Sequence, residues 1–333
     1  MQISRSKNLF IFFLLLISFS ISNLTLAAIK TQVIITNGAT EAFRNKVGKN
    51  LSACINKLNV IAENPTKELK TCDVAEFCTF NGREKLVKLF NQARFYTYKK
   101  KIETSLIRLK TISGYEVRNI DIRVKLGNTE IDPDEDELEN IVFIVDNEGK
   151  IEDVRSAMRR DAYDYIFNYG LEIENQERIL KFLEDYRTYY INKEIEKIEK
   201  VFDDSARIIV GLRLKSVDDN LVKIKGKKKH KYYFEYIEKT KQEYIEKLKE
   251  VMKLNSFIKV SFDDITMKKI KGKEIYGITL LQSWHAEKYS DIGYLFIIIH
   301  CDNPQPIIFF RAFQDSLRID EPMIDIEDFE IIN

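Results

Sequence analysis

The stretch "LLQSWHAEKYSDIGYLFIII", residues 280–299, decides how the second half of the chain is read. It holds the single tryptophan, Trp284, directly before one of three histidines, His285. Successive strand residues point to opposite faces, so in an extended segment these two rings cannot line one pocket. "IYGITLLQSWH" then puts Ile278, Leu280, Gln282 and Trp284 on one face, and Thr279, Leu281, Ser283 and His285 on the other. "GYLFIII" is apolar at every position, as in a strand covered on both sides. "AEKYSDIG" between them reads as a hairpin connection closed by Ser290, Asp291 and Gly293. On this reading Trp284 packs and His285 faces water, and neither performs general-base chemistry.

Outward from the hairpin, "SFIKVSFDDITMKKI" and "PIIFFRAF" are the neighbouring strands. Upstream, "NQERILKFLEDYRTYYINKEIEKIEKVFDD" carries Ile179, Leu180, Leu183, Tyr186, Tyr190, Ile195, Ile198 and Phe202 at helical spacing. The spacing predicts one long helix, with Glu184 and Asp185 beside the stripe and facing water. "ARIIVGLRL" reads as a strand, and "KHKYYFEYIEKTKQEYIEKLKEVMK" contains a helix with Tyr244, Leu248 and Val251 on one face.

The first half repeats this order. Phe43, Val47, Leu51, Ile55 and Leu58 mark one helix, and "NGREKLVKLFNQARFY" a second, capped by Asn81. "TSLIRLKTI", "YEVRNIDIRVKL", "ELENIVFIVDN" and "KIEDVRSAM" then read as strands. A short echo links the halves: Asn140–Val145 falls on Phe296–Cys301, Ile151 on Ile307 and Arg155 on Arg311, all 156 residues apart. Tandem copies of one α+β fold follow, covering 28–168 and 169–315 and meeting near Gly170, with an acidic tail over 316–333.

The first residues, "MQISRSKNLFIFFLLLISFSISNLTLAA", have the positive start, short apolar core and small residues of a secretory signal peptide spanning 1–27. The apolar core, Leu9 to Ile17, is shorter than the roughly 20 residues of a spanning helix. No cysteine follows to carry a lipid anchor, and no later segment is apolar enough to span. The mature chain is expected to be exported to the periplasm or outside the cell. A net charge of +1 gives no global field for nucleic acid. In an oxidising compartment the four cysteines, Cys54, Cys72, Cys78 and Cys301, are expected to pair in part. The short separations favour a bridge among Cys54, Cys72 and Cys78, with Cys301 a buried thiol. Cys72-x5-Cys78 has no histidine near it and is no zinc knuckle.

"FLEDYRTYYINKEIEKIEKVFDDSARIIVG" resembles the opening helix and strand of the nuclear-transport-factor-2-like (SnoaL-like) superfamily. "FDDITMKKIKGKEIYGITLLQSWHAEKYSDIGYLFIII" is similar to the long paired strands of its secreted bacterial members. The resemblance covers residues 175–315 and is weaker in the first half. It implies a cone: a strongly curved, largely antiparallel sheet wrapped around helices, with a hollow that often holds a pocket. Members include isomerases, dehydratases and epoxide hydrolases as well as non-catalytic binding modules, so the fold chooses no function. Such cones pair through their sheets, which implies a homodimer or a pairing of the two halves.

Candidate pocket residues are Tyr186 and Tyr190 from the helix, Trp284 from the hairpin, and His300 and Arg311 from the late strands. No pair of acids occupies adjacent inward positions, so no catalytic residue is assigned. "KIKGKKKHK" gathers Lys223, Lys225, Lys227, Lys228, Lys229 and Lys231 into a positive knob suited to an anionic partner. "EIDPDEDELE", 130–139, is its acidic counterpart and lacks the spacing of a calcium loop. No phosphate-binding loop, dinucleotide fingerprint, nucleophile elbow or metalloprotease helix occurs, and no cofactor or metal is implied. The sequence therefore points to an exported binding or assembly module of the cell envelope, with an unknown protein or small molecule as partner. The alternative is an isomerase-, dehydratase- or hydrolase-type enzyme acting on a small apolar molecule in the second cone.

Overall fold

The computed structural model describes residues 29–127, 136–215, 232–316 and 324–329. The signal-peptide stretch, the lysine cluster 223–231, the first part of the acidic run and most of the acidic tail lie outside the described residues.

The first half opens with strand β1 (Gln32–Ile35), which pairs in parallel with β3 (Lys101–Thr104). Helix α1 (Glu41–Ala62) buries Val47, Leu51, Ile55, Leu58 and Ile61, the stripe its spacing demands. Helix α2 (Phe80–Gln92) is capped by Thr79, whose hydroxyl accepts from the Gly82 amide at 3.1 Å, so the helix begins before Asn81. Gly82 is required there, because a Cβ would sit 2.0 Å from the Ile151 carbonyl oxygen. Strands β2 (Phe95–Tyr96), β4 (Leu106–Ile107), β5 (Tyr115–Val124), β6 (Glu137–Val145) and β7 (Ile151–Ser156) form one antiparallel sheet.

Helix α3 (Arg160–Asn168) leads into the long helix α4 (Ile173–Ile191). The single helix expected through Phe202 is broken after Ile191: Lys193 takes a φ of 54°, and a short helix α5 (Ile195–Lys200) follows. The Lys193 amine bonds to the carbonyls of Asn255 and Ser256 at 2.6 and 2.7 Å, which fixes the break. Strands β8 (Phe202–Lys215) and β9 (Tyr232–Thr240) precede helix α6 (Lys241–Leu254), which starts with a Thr240–Glu243 capping box. Strands β10 (Ile258–Lys269), β11 (Ile275–Ala286), β12 (Ser290–His300) and β13 (Ile307–Asp315) complete a six-stranded sheet in the order β10-β11-β12-β13-β8-β9. Every pairing in it is antiparallel except β13 with β8. Register breaks at Asp263/Thr266, Ile298/Ile299 and Ile308/Phe310 insert bulges, which bend and coil a sheet. The molecule is thus α+β, with a curved, largely antiparallel sheet around helices in each half.

Each half has its own main core. Ala162 and Ile166 of α3 pack in the second core, so the helix counted with residues 28–168 in the sequence sits on the second cone. Helix α4 is buried on both sides. Its apolar stripe enters the second core, while Ile191 reaches the first. Between them Glu177 and Glu184 are buried against the first half, and Arg187 is buried between the two sheets. The outer face of the second sheet is also covered. Phe329 stacks on Phe296 and packs edge-on against Phe310, and Ile326 sits over Gly277.

Candidate functional site

The hairpin 280–299 forms as its alternation requires: Trp284 pairs with Asp291 and His285 with Ser290. Trp284 packs on the second core, while His285 is exposed and its Nδ1 lies 2.6 Å from the Ser290 hydroxyl. The two rings face opposite ways.

Inside the second cone, four of the five candidate residues come together. The hydroxyls of Tyr186 and Tyr190, one helical turn apart on α4, hydrogen-bond at 2.8 Å. Tyr190 continues to the Tyr244 hydroxyl on α6 at 2.7 Å. Trp284 meets the Tyr190 ring edge-to-face at 5.6 Å. Arg311, 5% exposed, carries its guanidinium over the Tyr244 ring at 5.2 Å and hydrogen-bonds to Tyr186. Its Nε is buried without a partner. His300 stands apart at the end of β12, its Nε2 2.6 Å from Asp302 and its ring against Phe309.

The electrostatics of this cluster are those of a cation among phenols. Burial pushes the Tyr186 and Tyr190 phenols well up, so both stay protonated at neutral pH. Burial opposes the charge on Arg311, but the tyrosine oxygens around it outweigh that and hold its pKa above the ordinary value. No carboxylate pairs with Arg311 among the described residues.

A second charged assembly escaped the sequence reading. Glu184 is 0% exposed rather than solvated, because the first sheet covers that side of α4. It accepts from Arg155 Nε at 2.9 Å, from both Nη atoms of Arg118, and from the Met158 amide at 2.9 Å. Arg155 and Arg118 share Glu116 at 2.8 and 3.2 Å. Arg187, one turn further on, donates to the carbonyls of Val260 and Ala157 and to Glu139 at 2.6, 2.7 and 2.8 Å. Glu177 accepts from the amides of Lys110 and Thr111. The signal was present as a second stripe on α4, Glu177, Glu184, Arg187/Thr188 and Ile191, at helical spacing.

The open spaces lie elsewhere. Between the halves runs a groove of about 670 Å³, lined by Glu137, Glu139, Arg159, Asp161, Lys259 and Asp263 among others. Lys259 pairs with Glu137 and Glu139 on its wall. Between Leu89, Phe95 and Ile122 of the first half and Ile258 of the second lies an apolar slot of about 20 Å³, room for a single water. Among the described residues no group of three metal-ligating side chains occurs, and no helix is long and apolar enough to cross a membrane. All four cysteines are free, but the Cys54 and Cys78 thiols are neighbours in hydrogen-bonding contact.

No protein-family model matches the chain, and no curated protein matches it. Solved structures do resemble it. A candidate scytalone dehydratase from Novosphingobium aromaticivorans DSM 12444 is 11% identical, covering 42% of this chain and 83% of that one, with a TM-score of 0.30. Protein Bd1075 of Bdellovibrio bacteriovorus is 12% identical over 64% of this chain and 92% of that one, with a TM-score of 0.31. At these values the matches carry no argument about ligand or activity, and the fold stands on the strand register given above. The chain is similar, too, to a nuclear-transport-factor-2-like protein of unknown function from Pseudomonas putida KT2440, 9% identical over 44% of this chain and 89% of that one, with a TM-score of 0.31.

Proposed function

We propose that the protein is an exported binding module of the cell envelope without catalytic activity. The observation that supports this is the chemistry of the second cone. Its interior gathers phenols pushed above their ordinary pKa and a permanently charged guanidinium. Such groups recognise and orient; none takes a proton from a substrate at neutral pH. Export is supported by the positive, then apolar, then small-residue order of the first residues.

The test has two arms. Expressed from its own first residue, the chain should be recovered from the envelope fraction with a mature start after Ala27, read by intact mass. The purified protein, loaded with a small-molecule envelope extract and separated by gel filtration, should release any bound molecule chemically unchanged. Recovery of altered molecules in excess of the protein would replace binding with catalysis.

A further inference from the structure

Helix α1 and the segment before α2 bring two thiols together. Asn50 of α1 donates through Nδ2 to the carbonyls of Phe77 and Gly149, each at 2.9 Å, which ties the helix to that segment. Cys54 stands one turn further along α1 and is 0% exposed. Cys78 bridges to Ile151 of β7 and keeps 7% of its surface accessible. The two thiols hydrogen-bond to each other. Their surroundings are unequal. Cys78 immediately precedes Thr79, the N-cap of α2, and so stands at the positive end of a helix dipole. Arg83 from the first turn of α2 and Lys150 from the turn before β7 add positive charge, and the Arg83 Nε is buried without a partner among the described residues. The hydrogen bond to Cys54, then Lys150 and Arg83, hold the Cys78 thiol below its ordinary pKa although burial opposes them. Cys54 sits mid-helix in the apolar core, and its contact with Cys78 together with burial pushes its thiol up. The segment 63–79 carries only one short 3-10 turn, Thr71–Asp73, and opens more readily than the middle of a 22-residue helix.

We propose that Cys78 and Cys54 form a thiol–disulfide exchange site, in which Cys78 attacks a low-molecular-weight disulfide and Cys54 resolves the product. The attacking group is the thiolate, which cations and a helix N-terminus favour at Cys78 and an apolar core disfavours at Cys54. The Cys78 thiolate attacks one sulfur of the disulfide. That S–S bond breaks, a thiolate leaves and takes up a proton, and a mixed disulfide remains on Cys78. Cys54 then loses its proton and attacks the Cys78 sulfur, expelling the second thiolate. The two cysteines are oxidised to one bridge, and the small disulfide is reduced to two thiols. The little surface that Cys78 offers suits a small disulfide rather than a bulky one. Cys72, exposed on the 3-10 turn, takes no part. The bridge pins α1 to the start of α2 and, through Ile151, to β7, the strand that carries Arg155.

The experiment adds glutathione disulfide to the reduced full mature protein carrying Cys72→Ser, quenches with acid over time and maps the peptides by mass. The first adduct should sit on Cys78 and give way to a Cys54–Cys78 bridge, with two glutathione thiols released per bridge. Cys54→Ala should stop the reaction at the Cys78 adduct. Cys78→Ala should take up glutathione at Cys54 more slowly by about ten-fold or more. Early adducts on Cys54 overturn the order of attack, a result that needs neither alanine variant to fold. A Cys78 adduct that persists with Cys54 present overturns the resolving step. In the unaltered chain, a bridge to Cys72 in place of Cys54 overturns the pairing. No reaction of either thiol in the native protein overturns the site.

Discussion

Arg155 on β7 and Arg311 on β13 are both buried and are solved in opposite ways. In the first half the cation is neutralised internally: Arg155 and Arg118 sit between Glu116 and Glu184, the latter supplied by the second half's own helix α4. In the second half the cation is left with phenols. A paired buried charge welds two elements together, because removing either partner strands the other. A buried cation paired only with neutral groups gains less stability. The buried arginine of the first half therefore joins two elements, whereas that of the second half is held by neutral groups alone among the described residues.

The contrast can be broken most directly by the same substitution at both places. Arg155→Met should destabilise the protein by about 3–5 kcal/mol, read as a lower urea midpoint, because Glu116 and Glu184 lose a shared partner. Arg311→Met should be neutral or stabilising in the same measurement, since no ionised partner among the described residues is stranded. Loss of equal size at both positions would erase the distinction.

The cysteines also differ between the halves: the first holds the neighbours Cys54 and Cys78 and an exposed Cys72, the second Cys301 alone. Mild oxidation should join Cys54 to Cys78, lowering the intact mass by two hydrogens and stabilising the chain by about 3 kcal/mol. Cys301 stands alone, and burial pushes its thiol up to about 12, so it should resist alkylation until the protein unfolds. Reaction of Cys301 in the native state would show the second core to be looser than its packing implies.

The tail sharpens the comparison from the outer face of the sheet. A Cβ at Gly277 would stand 2.7 Å from the Ile326 Cβ. Gly277→Ala should therefore lift residues 324–329 from Phe296 and Phe310, costing about 1–3 kcal/mol and opening the C-terminus to limited proteolysis. The first half should keep its protection.

The smallest effect is one of pH. Burial alone would raise the Glu184 carboxyl, but Arg118 and Arg155 outweigh burial and hold it below its ordinary value. A carboxylate lowered by folding stabilises fully above its unfolded pKa of about 4.3, and that contribution fades as pH falls through the folded value. The urea midpoint should hold down to about pH 5 and then drop, and Glu184→Gln should flatten the drop while lowering stability at neutral pH.

Much of this was written in local pattern. Alternation in 275–300 gave the hairpin, its register of faces and the opposite aims of Trp284 and His285. Tyr186 and Tyr190, a turn apart on an apolar stripe, were legible as inward-facing residues, and Arg311 as a late-strand cation. His300 was not separable from them in sequence, because a strand's alternation says nothing about how far along the cone a residue lies. The break at Lys193 was hidden because Asn192–Glu194 carry neither glycine nor proline, and the carbonyls that hold it come from residues 255 and 256. Glu184 was misread as solvated because a polar residue beside an apolar stripe normally faces water, unless a second body lies there.

The sequence by itself determined most of the elements, the faces of the hairpin strands and the α+β class, because these follow from periodicity and from short-range steric and capping rules. Only the tertiary structure decided which buried arginine has carboxylates, which thiols are neighbours and what covers the outer sheet. Those outcomes depend on residues tens to hundreds of positions apart, and no local pattern records which polar group a fold brings to another.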